Sequence, residues 1–122
     1  MTTSNKAELE KTLNSFREKF NDNVRAKKLI KGWNRSVMLD ATDTGVQFSL
    51  IISDLQLAEV KDGLVEWNPP IHLQAEEKIL IRIFSGEYNP ASALMDGALA
   101  VFSDERDKVK LEALAMVIWR LG

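Results

Sequence analysis

The feature that most limits the possible folds is a change in the spacing of apolar residues near position 36. Before it, apolar residues recur three or four positions apart over residues 4–20, which is the period of an amphipathic α-helix. These residues are Leu9, Leu13, Phe16 and Phe20. After position 36, apolar and polar residues alternate, as they do in a strand with one buried face. The sequence therefore predicts an α+β fold.

Five segments have the alternating pattern of a strand. They are residues 36–42, 46–52, 55–60, 71–75 and 98–103. The turn signals Asp43-Thr44-Gly45 and Lys61-Asp62-Gly63 follow the first and third segments. The third segment continues the apolar face through Leu55 and Leu57. Trp67-Asn68-Pro69-Pro70 must leave regular pairing, because proline cannot donate to a strand ladder.

Capping residues predict two further short helices. Asp22 is a suitable N-cap for the first, and Gly32 is a suitable stop. Asn89 caps the second, over residues 90–96, and Pro90 is favoured at its first position. Its apolar side consists of Leu94 and Met95.

Residues 77–84, with the sequence EKILIRIF, fit two structures. Isoleucines alternate at positions 79, 81 and 83, as in a strand, and strand propensity mildly favours that choice. A helical stripe is also present, and Glu77 would suit the first turn of a helix. Gly86 would suit its end. The local pattern leaves both structures open.

The last helix is predicted over residues 105–121 and is more apolar than one buried face requires. One stripe contains Leu111, Leu114, Ala115, Ile118 and Leu121. Met116, Val117 and Trp119 lie outside that stripe, so the final two turns are apolar almost all round. Either this helix is sandwiched between other elements, or it covers an apolar group that is not always present.

Charge divides the chain into two parts. Residues 1–35 hold nine Lys and Arg against four Asp and Glu, net +5, whereas residues 36–122 have a net charge of −7. The basic part could contact anionic membranes, or it could be an ordinary solvated helix face. The acidic remainder argues against a nucleic-acid partner. A polar start without an apolar signal core makes the cytoplasm the simplest location.

No catalytic set emerges, so no enzymatic activity, metal or cofactor is expected. The 122 residues fit one domain, and the absence of cysteine excludes disulfides and thiolate sites. His72 is the single histidine and is expected to be a half-exposed strand residue. Asp40 and Asp54 could approach each other on neighbouring strands, although solvated strand ends explain them as well. Trp33 and Trp119 could line a pocket or fill the core, and burial in the core is the favoured expectation.

Several short motifs together resemble the small prokaryotic members of the sterol carrier protein 2 family. The segment Lys31–Arg35, KGWNR, leads into the strand SVMLDATD as it does in that family. A helix ending in Ser85-Gly86, then Asn89-Pro90, Met95-x-Gly97 and the strand ALAVF repeat the family's order of elements. The resemblance covers roughly residues 28–119. It departs after ALAVF, where SDERDK replaces the family's basic, glycine-containing exit.

The resemblance implies a mostly antiparallel five-stranded sheet with helices packed on one face, enclosing an apolar cavity. It also implies a helix at 77–84. Residues 1–31 would form an N-terminal helical segment, residues 36–104 the sheet with its inserted helices, and residues 105–122 a C-terminal lid helix that includes Val117.

The family binds sterols, fatty acids and acyl chains without transforming them, so the resemblance implies carriage of an apolar ligand. From face and position, the expected cavity wall is Phe48, Leu50, Ile52, Ile83, Phe84, Leu94, Met95, Val101, Leu114, Ile118 and Trp119. The alternative left open is a protein-interaction or homodimerisation module on the same fold, with no lipid ligand.

Overall fold

The computed structural model describes residues 6–63, 71–108 and 111. The helices in this part of the chain are α1 (Lys6–Asp22), α2 (Val24–Leu29), α3 (Glu77–Phe84) and α4 (Pro90–Met95). The strands are β1 (Arg35–Ala41), β2 (Gln47–Ser53), β3 (Gln56–Asp62), β4 (Ile71–Ala75) and β5 (Ala100–Phe102). Residues 105–108 and residue 111 are also helical. The predicted excursion at Trp67-Asn68-Pro69-Pro70 lies outside the described residues.

The five strands form one sheet in the order β3-β2-β1-β4-β5. β1 and β4 run parallel, and the other neighbouring pairs run antiparallel. Register places alternate residues of each strand on one face, and the buried apolar residues lie there. Examples are Val37 and Leu39 of β1 and Phe48 and Leu50 of β2. The prediction of a mostly antiparallel five-stranded α+β fold is confirmed.

Helix α1 packs its apolar stripe against the rest of the core. Its four predicted stripe residues are all buried. The ring of Phe16 meets the ring of Phe84 of α3 edge-on, with centroids 5.2 Å apart. Such aromatic pairs contribute beyond the area they bury. α1 and α3 therefore form one packed layer with the sheet.

The end of α1 is fixed to β3 by backbone-directed hydrogen bonds. The Asn21 amide donates to Leu57 O over 3.0 Å and accepts from Leu57 N over 2.8 Å. Arg17 Nε also donates to Leu57 O, over 3.2 Å. The β2–β3 register shifts next to Leu57, between Ile51 and Ile52. Asn21 thus satisfies backbone groups at an irregular point of the ladder.

The N-cap of α2 is Asn23, so the prediction of Asp22 is wrong. The Asn23 side chain accepts a hydrogen bond from Ala26 N over 3.0 Å, whereas Asp22 still belongs to α1. Gly32 has a φ of +77°, which glycine adopts without strain, and it follows α2 as predicted.

The turn between β2 and β3 also differs from the prediction. Asp54 and Leu55 have φ values of 51° and 65° and form a two-residue hairpin turn, as in type I′ geometry. Leu55 is therefore exposed instead of extending the apolar face, while Leu57 is buried. At the far end, β3 continues through Lys61 and Asp62, so the predicted turn there begins only at Gly63.

The segment EKILIRIF is helical, as the resemblance implied. Its first turn is capped from the β1–β2 turn, because Glu77 N donates to Asp43 Oδ1 over 2.9 Å. The Thr44 hydroxyl donates to the buried Glu77 carboxylate over 3.1 Å. These contacts explain why a strand-prone sequence becomes a helix here: its first turn is held from another element.

Helix α4 is short and contributes little to the core. Asn89 caps it by accepting from Ala91 N over 2.9 Å, and Pro90 occupies its first turn, as predicted. Its one buried residue is Ala93. The Tyr88 hydroxyl donates to Asp96 Oδ2 over 2.6 Å, and this bond raises the pKa of Tyr88 above its ordinary value.

Candidate functional site

The expected wall residues on β2 lie in a closed part of the interior. Phe48, Leu50 and Ile52 are at most 1% exposed and belong to the same buried cluster as the α1 stripe. Side chains that line a water-sized cavity keep accessible surface, so these three can meet a ligand only after their neighbours move. Their role as lining residues stays a prediction.

The expected wall residues on α3 are also buried, and one contributor from α1 was missed. Ile83 and Phe84 point into the same cluster, where Phe84 contacts Phe16. The apolar stripe of α1 could have revealed Phe16 as an interior residue, since its spacing was visible. No local pattern indicates that α1 packs on α3, because that contact joins residues far apart in the sequence.

The expected wall residues on α4, Leu94 and Met95, lie at the surface of the described structure, and their role as lining residues stays a prediction. Leu94 is 48% exposed and Met95 is 88% exposed. The short helix buries the smaller Ala93 instead. Three further expected wall residues, Leu114, Ile118 and Trp119, lie outside the described residues, as does Val117.

One end of the sheet gathers residues from several parts of the chain. Val37 of β1 pairs with Ile71 of β4, and His72 of β4 pairs with Phe102 of β5. β1 and β4 therefore begin, and β5 ends, at the same end of the sheet. We define the corner as the residues at this end of the sheet and in the helical segment that follows β5: Trp33, Arg35, Val101, Ser103, Asp107 and Leu111.

A buried carboxylate organises the corner. The Trp33 indole N–H donates to Asp107 Oδ1 over 2.7 Å, and Arg35 Nε donates to the same oxygen over 3.3 Å. Asp107 is only 2% exposed. Because a buried charge is costly unless it is paired and hydrogen-bonded, these two donors hold the start of the last helix against β1.

Asp104 caps that helical turn, one residue before the predicted start of the last helix at residue 105. Its Oδ1 accepts a hydrogen bond from Asp107 N over 3.0 Å, the geometry of an N-cap. This bond holds the pKa of the Asp104 carboxyl below its ordinary value, because it favours the charged form.

Two oxygens in the corner have no hydrogen-bond partner among the described residues. They are Asp107 Oδ2 and Ser103 Oγ, and both are buried. Neither residue was singled out from the sequence. The spacing of Asp104 and Asp107 indicates a helix start, but it does not reveal that one carboxylate oxygen is buried without a donor.

Apolar side chains of the corner keep accessible surface, in contrast to those of β2. Trp33 is 8% exposed, and Val101 and Leu111 are half-buried against the core. Val101 was an expected wall residue, and Trp33 was expected in the core, which is where it lies. The corner thus combines partly accessible apolar groups with unpaired oxygens.

His72 lies on the opposite face of the sheet, half-buried as expected. Its Nε2 is 3.5 Å from Asp40 Oδ2, and its ring is 6.1 Å from that of Phe102. Asp54 is at the other end of the β1–β2 hairpin, where its N–H donates to Asn34, so Asp40 and Asp54 do not approach each other. No group of three potential metal ligands occurs within residues 6–63, 71–108 and 111.

Comparison with known proteins identifies the fold. The crystal structure of sterol carrier protein 2 superposes with a TM-score of 0.65 and 19% sequence identity, covering 89% of this chain and 94% of that one. The chain has the sterol carrier protein 2 fold. No protein-family model and no curated protein matches the sequence.

Two further structures of the sterol carrier protein 2 type agree over most of their length. The solution NMR structure of palmitated SCP2L2 from Aedes aegypti has a TM-score of 0.62 at 18% identity, covering 89% of this chain and 92% of that one. The ubiquinone synthesis protein UbiJ-SCP2 has a TM-score of 0.61 at 17% identity, covering 93% and 89%. The resemblance seen in the sequence motifs is confirmed as a likeness of fold.

In the part of the chain that the structure describes, no helix is both long enough and apolar enough to cross a bilayer.

Proposed function

We propose that this chain binds an apolar ligand and carries it through the cytoplasm without transforming it. The observation that carries the proposal is the sterol carrier protein 2 fold, which a palmitated protein shares over 89% of this chain. The corner supports it, because Val101 and Leu111 there are half-buried apolar residues packed against the core. The carrier would act by equilibrium capture, each chain methylene gaining about 0.8 kcal/mol on leaving water.

Energetics favour a site that is filled or closed over one that stands empty. Leaving about 300 Å³ dry and empty would cost roughly 7 kcal/mol at about 24 cal/mol per Å³. That rivals the whole stability of about 5–15 kcal/mol expected of a domain. The closed packing around Phe48, Leu50 and Ile52 fits a site that opens on binding. Movement of the helix that begins at Asp104 would provide the opening.

Native mass spectrometry of the purified full chain tests the proposal. We expect a bound lipid, identified after extraction, and a higher melting temperature when lipid is added back. Ligand at about a hundred times its dissociation constant adds roughly 2.7 kcal/mol of stability. A lipid-free protein whose melting temperature is flat across fatty acids, alcohols and sterols would refute carriage.

A matched pair of variants locates the site on β5. Val101 faces the core, whereas the neighbouring Ala100 is exposed on the other face. Val101→Phe should fill ligand space and reduce the lipid that co-purifies, while Ala100→Phe should leave it unchanged. Equal lipid content in the two variants would place the ligand elsewhere.

We further propose that α2 and the residues after it bring the carrier to anionic membranes. Val24 and Leu29 are exposed apolar residues on α2. Residues 23–39 contain five Lys and Arg and no Asp or Glu, so the apolar pair is surrounded by positive charge. Lys28→Glu should weaken binding to phosphatidylglycerol vesicles, whereas Lys78→Glu on α3 should not. Equal loss in both variants would indicate only a general charge effect.

Exposed apolar side chains favour a second candidate function, that of a protein-interaction module. Leu94, Met95 and Phe102 are large and exposed, which is typical of contact surfaces. Such a module would show a concentration-dependent mass in sedimentation, abolished by Met95→Glu, together with no bound lipid. A monomer that carries lipid would exclude it.

A further inference from the structure

The corner contains more buried polar atoms than are needed to hold the start of the last helix against β1. One oxygen of Asp107 accepts from Trp33 and Arg35, which is sufficient to hold the helix start against β1. The other oxygen, Oδ2, is buried and meets no donor in the described part of the chain. The hydroxyl oxygen of Ser103, four residues earlier, is in the same situation.

Leaving these oxygens unpaired is costly. A buried acceptor without a donor costs about 1–3 kcal/mol, and more when it is charged. Native proteins contain few such atoms, and those that occur usually meet a water or serve a function. Two of them within five residues of chain therefore indicate that a further polar group binds at this segment.

The side chains around the two unpaired oxygens indicate which kind of molecule carries the polar group that binds them. Ser103 directly follows β5, two residues after the core-facing Val101, and its hydroxyl oxygen is buried. Trp33 is hydrogen-bonded to Asp107, and Leu111 lies one helical turn beyond it. The unpaired oxygens thus lie at the end of an apolar surface, where the polar end of a bound lipid would be.

We propose that Asp107 and Ser103 recognise the hydroxyl group of a neutral lipid alcohol, of the long-chain or sterol type. This inference rests on the proposed function. The ligand hydroxyl donates to Asp107 Oδ2 and accepts from the Ser103 hydroxyl, which satisfies both buried oxygens. A fatty acid carboxylate would place a second negative charge against Asp107, and a plain hydrocarbon would leave the carboxylate unpaired.

The test compares three ligands of equal chain length on the delipidated full chain. Hexadecan-1-ol, hexadecanoate and hexadecane compete against a fluorescent fatty-chain probe. A hydrogen bond to a buried charged group predicts that the alcohol binds at least about tenfold more tightly than either of the others.

Variants show whether the corner produces this preference. In Asp107→Asn the amide oxygen still accepts from Trp33, but an NH₂ donor replaces the unpaired acceptor. Hexadecanoate should then bind at least as well as the alcohol. Ser103→Ala should weaken the alcohol several-fold without helping hexadecanoate, and it keeps the test valid if Asp107→Asn unfolds. Glu105→Gln is the control, because this carboxylate is exposed on the same helical turn.

The outcomes separate this inference from the proposed function. Equal binding of alcohol and hexadecanoate by the native chain, or a preference unchanged in both Asp107→Asn and Ser103→Ala, overturns hydroxyl recognition and leaves apolar carriage standing. Binding of none of the three overturns both. A crystal structure of the alcohol-loaded chain with an ordered water, and no ligand oxygen, between Asp107 and Ser103 also overturns hydroxyl recognition.

Discussion

The two ends of the interior are built in different ways. Beneath α1, apolar side chains fill the space between helix and sheet, and Asn21 pairs both backbone groups of Leu57. At the corner, a charged residue is buried, two oxygens are unpaired and apolar groups keep accessible surface. Beneath α1, the groups named here are packed or hydrogen-bonded within the chain, whereas at the corner two buried oxygens have no partner among the described residues. The contrast suggests that stability is concentrated at one end and recognition at the other.

The largest expected effect tests the end beneath α1. Phe16→Ala removes a fully buried ring that packs on Phe84 and Phe20. Urea denaturation should show a loss of about 3–5 kcal/mol, typical of a buried phenylalanine truncated to alanine. Saturating ligand should not reduce the loss. Rescue of stability by ligand would mean that the ligand occupies this end, and the contrast between the ends would fail.

The next effect tests the corner. Trp33→Phe keeps an aromatic ring but removes the indole donor, so Asp107 Oδ1 is left with Arg35 alone. Loss of a hydrogen bond to a buried carboxylate should lower the free energy of unfolding by about 2 kcal/mol. Unlike Phe16→Ala, this variant should also weaken ligand binding. A stability loss with unchanged affinity would assign the corner a purely structural role.

A stabilising change in the β2–β3 turn provides a third test. Leu55 is exposed and has a left-handed φ of 65°, a conformation that disfavours branched L-residues. Leu55→Gly should raise the melting temperature, through a gain of about 0.5–1 kcal/mol after the entropy of glycine is counted. Ligand affinity should be unchanged, because Leu55 is exposed and is not one of the corner residues. Changed affinity would show that this turn is coupled to the corner.

The smallest effect is the pH dependence of the helix start. The pKa of Asp104 is lowered in the folded chain by the hydrogen bond from Asp107 N–H. A lowered pKa means that the stabilisation is present above the unfolded value, 3.8, and is lost as pH falls through the folded value. Native chain and Asp104→Ala should therefore differ in melting temperature at neutral pH and converge in strong acid. A constant difference would assign the effect to packing instead of charge.

Features that depend on local spacing could be predicted from the sequence. The α1 stripe and the β1 and β2 faces follow from periods of 3.6 and 2 residues, which no distant contact needs to supply. The caps at Asn89 and Asp104 follow from single residues beside a helix start. The helix at α3 needed the family resemblance, because its stabilising contact with Asp43 comes from 34 residues away.

Features that depend on distant partners could not be predicted. Burial of Asp107 requires Trp33, 74 residues away in the sequence, and no local pattern marks a carboxylate for such a role. Leu94 and Met95 were assigned inward by their apolar character, but a six-residue helix can pack through Ala93 alone. Leu55 was assigned to a strand from its spacing to Leu57. Its actual place in a two-residue turn is set by the pairing of β2 with β3, which no local pattern reveals.

The hydrogen bonds between Asn21 and Leu57 have a consequence for solubility. β3 is an edge strand, and an edge offers free N–H and C=O groups to any other extended chain. Asn21 occupies those groups at Leu57, beside the irregular register, while the opposite edge, β5, is only three residues long. Among the described strands, one edge is thus interrupted at Leu57 and the other is short, which disfavours addition of a strand from a second chain and fibril-like aggregation.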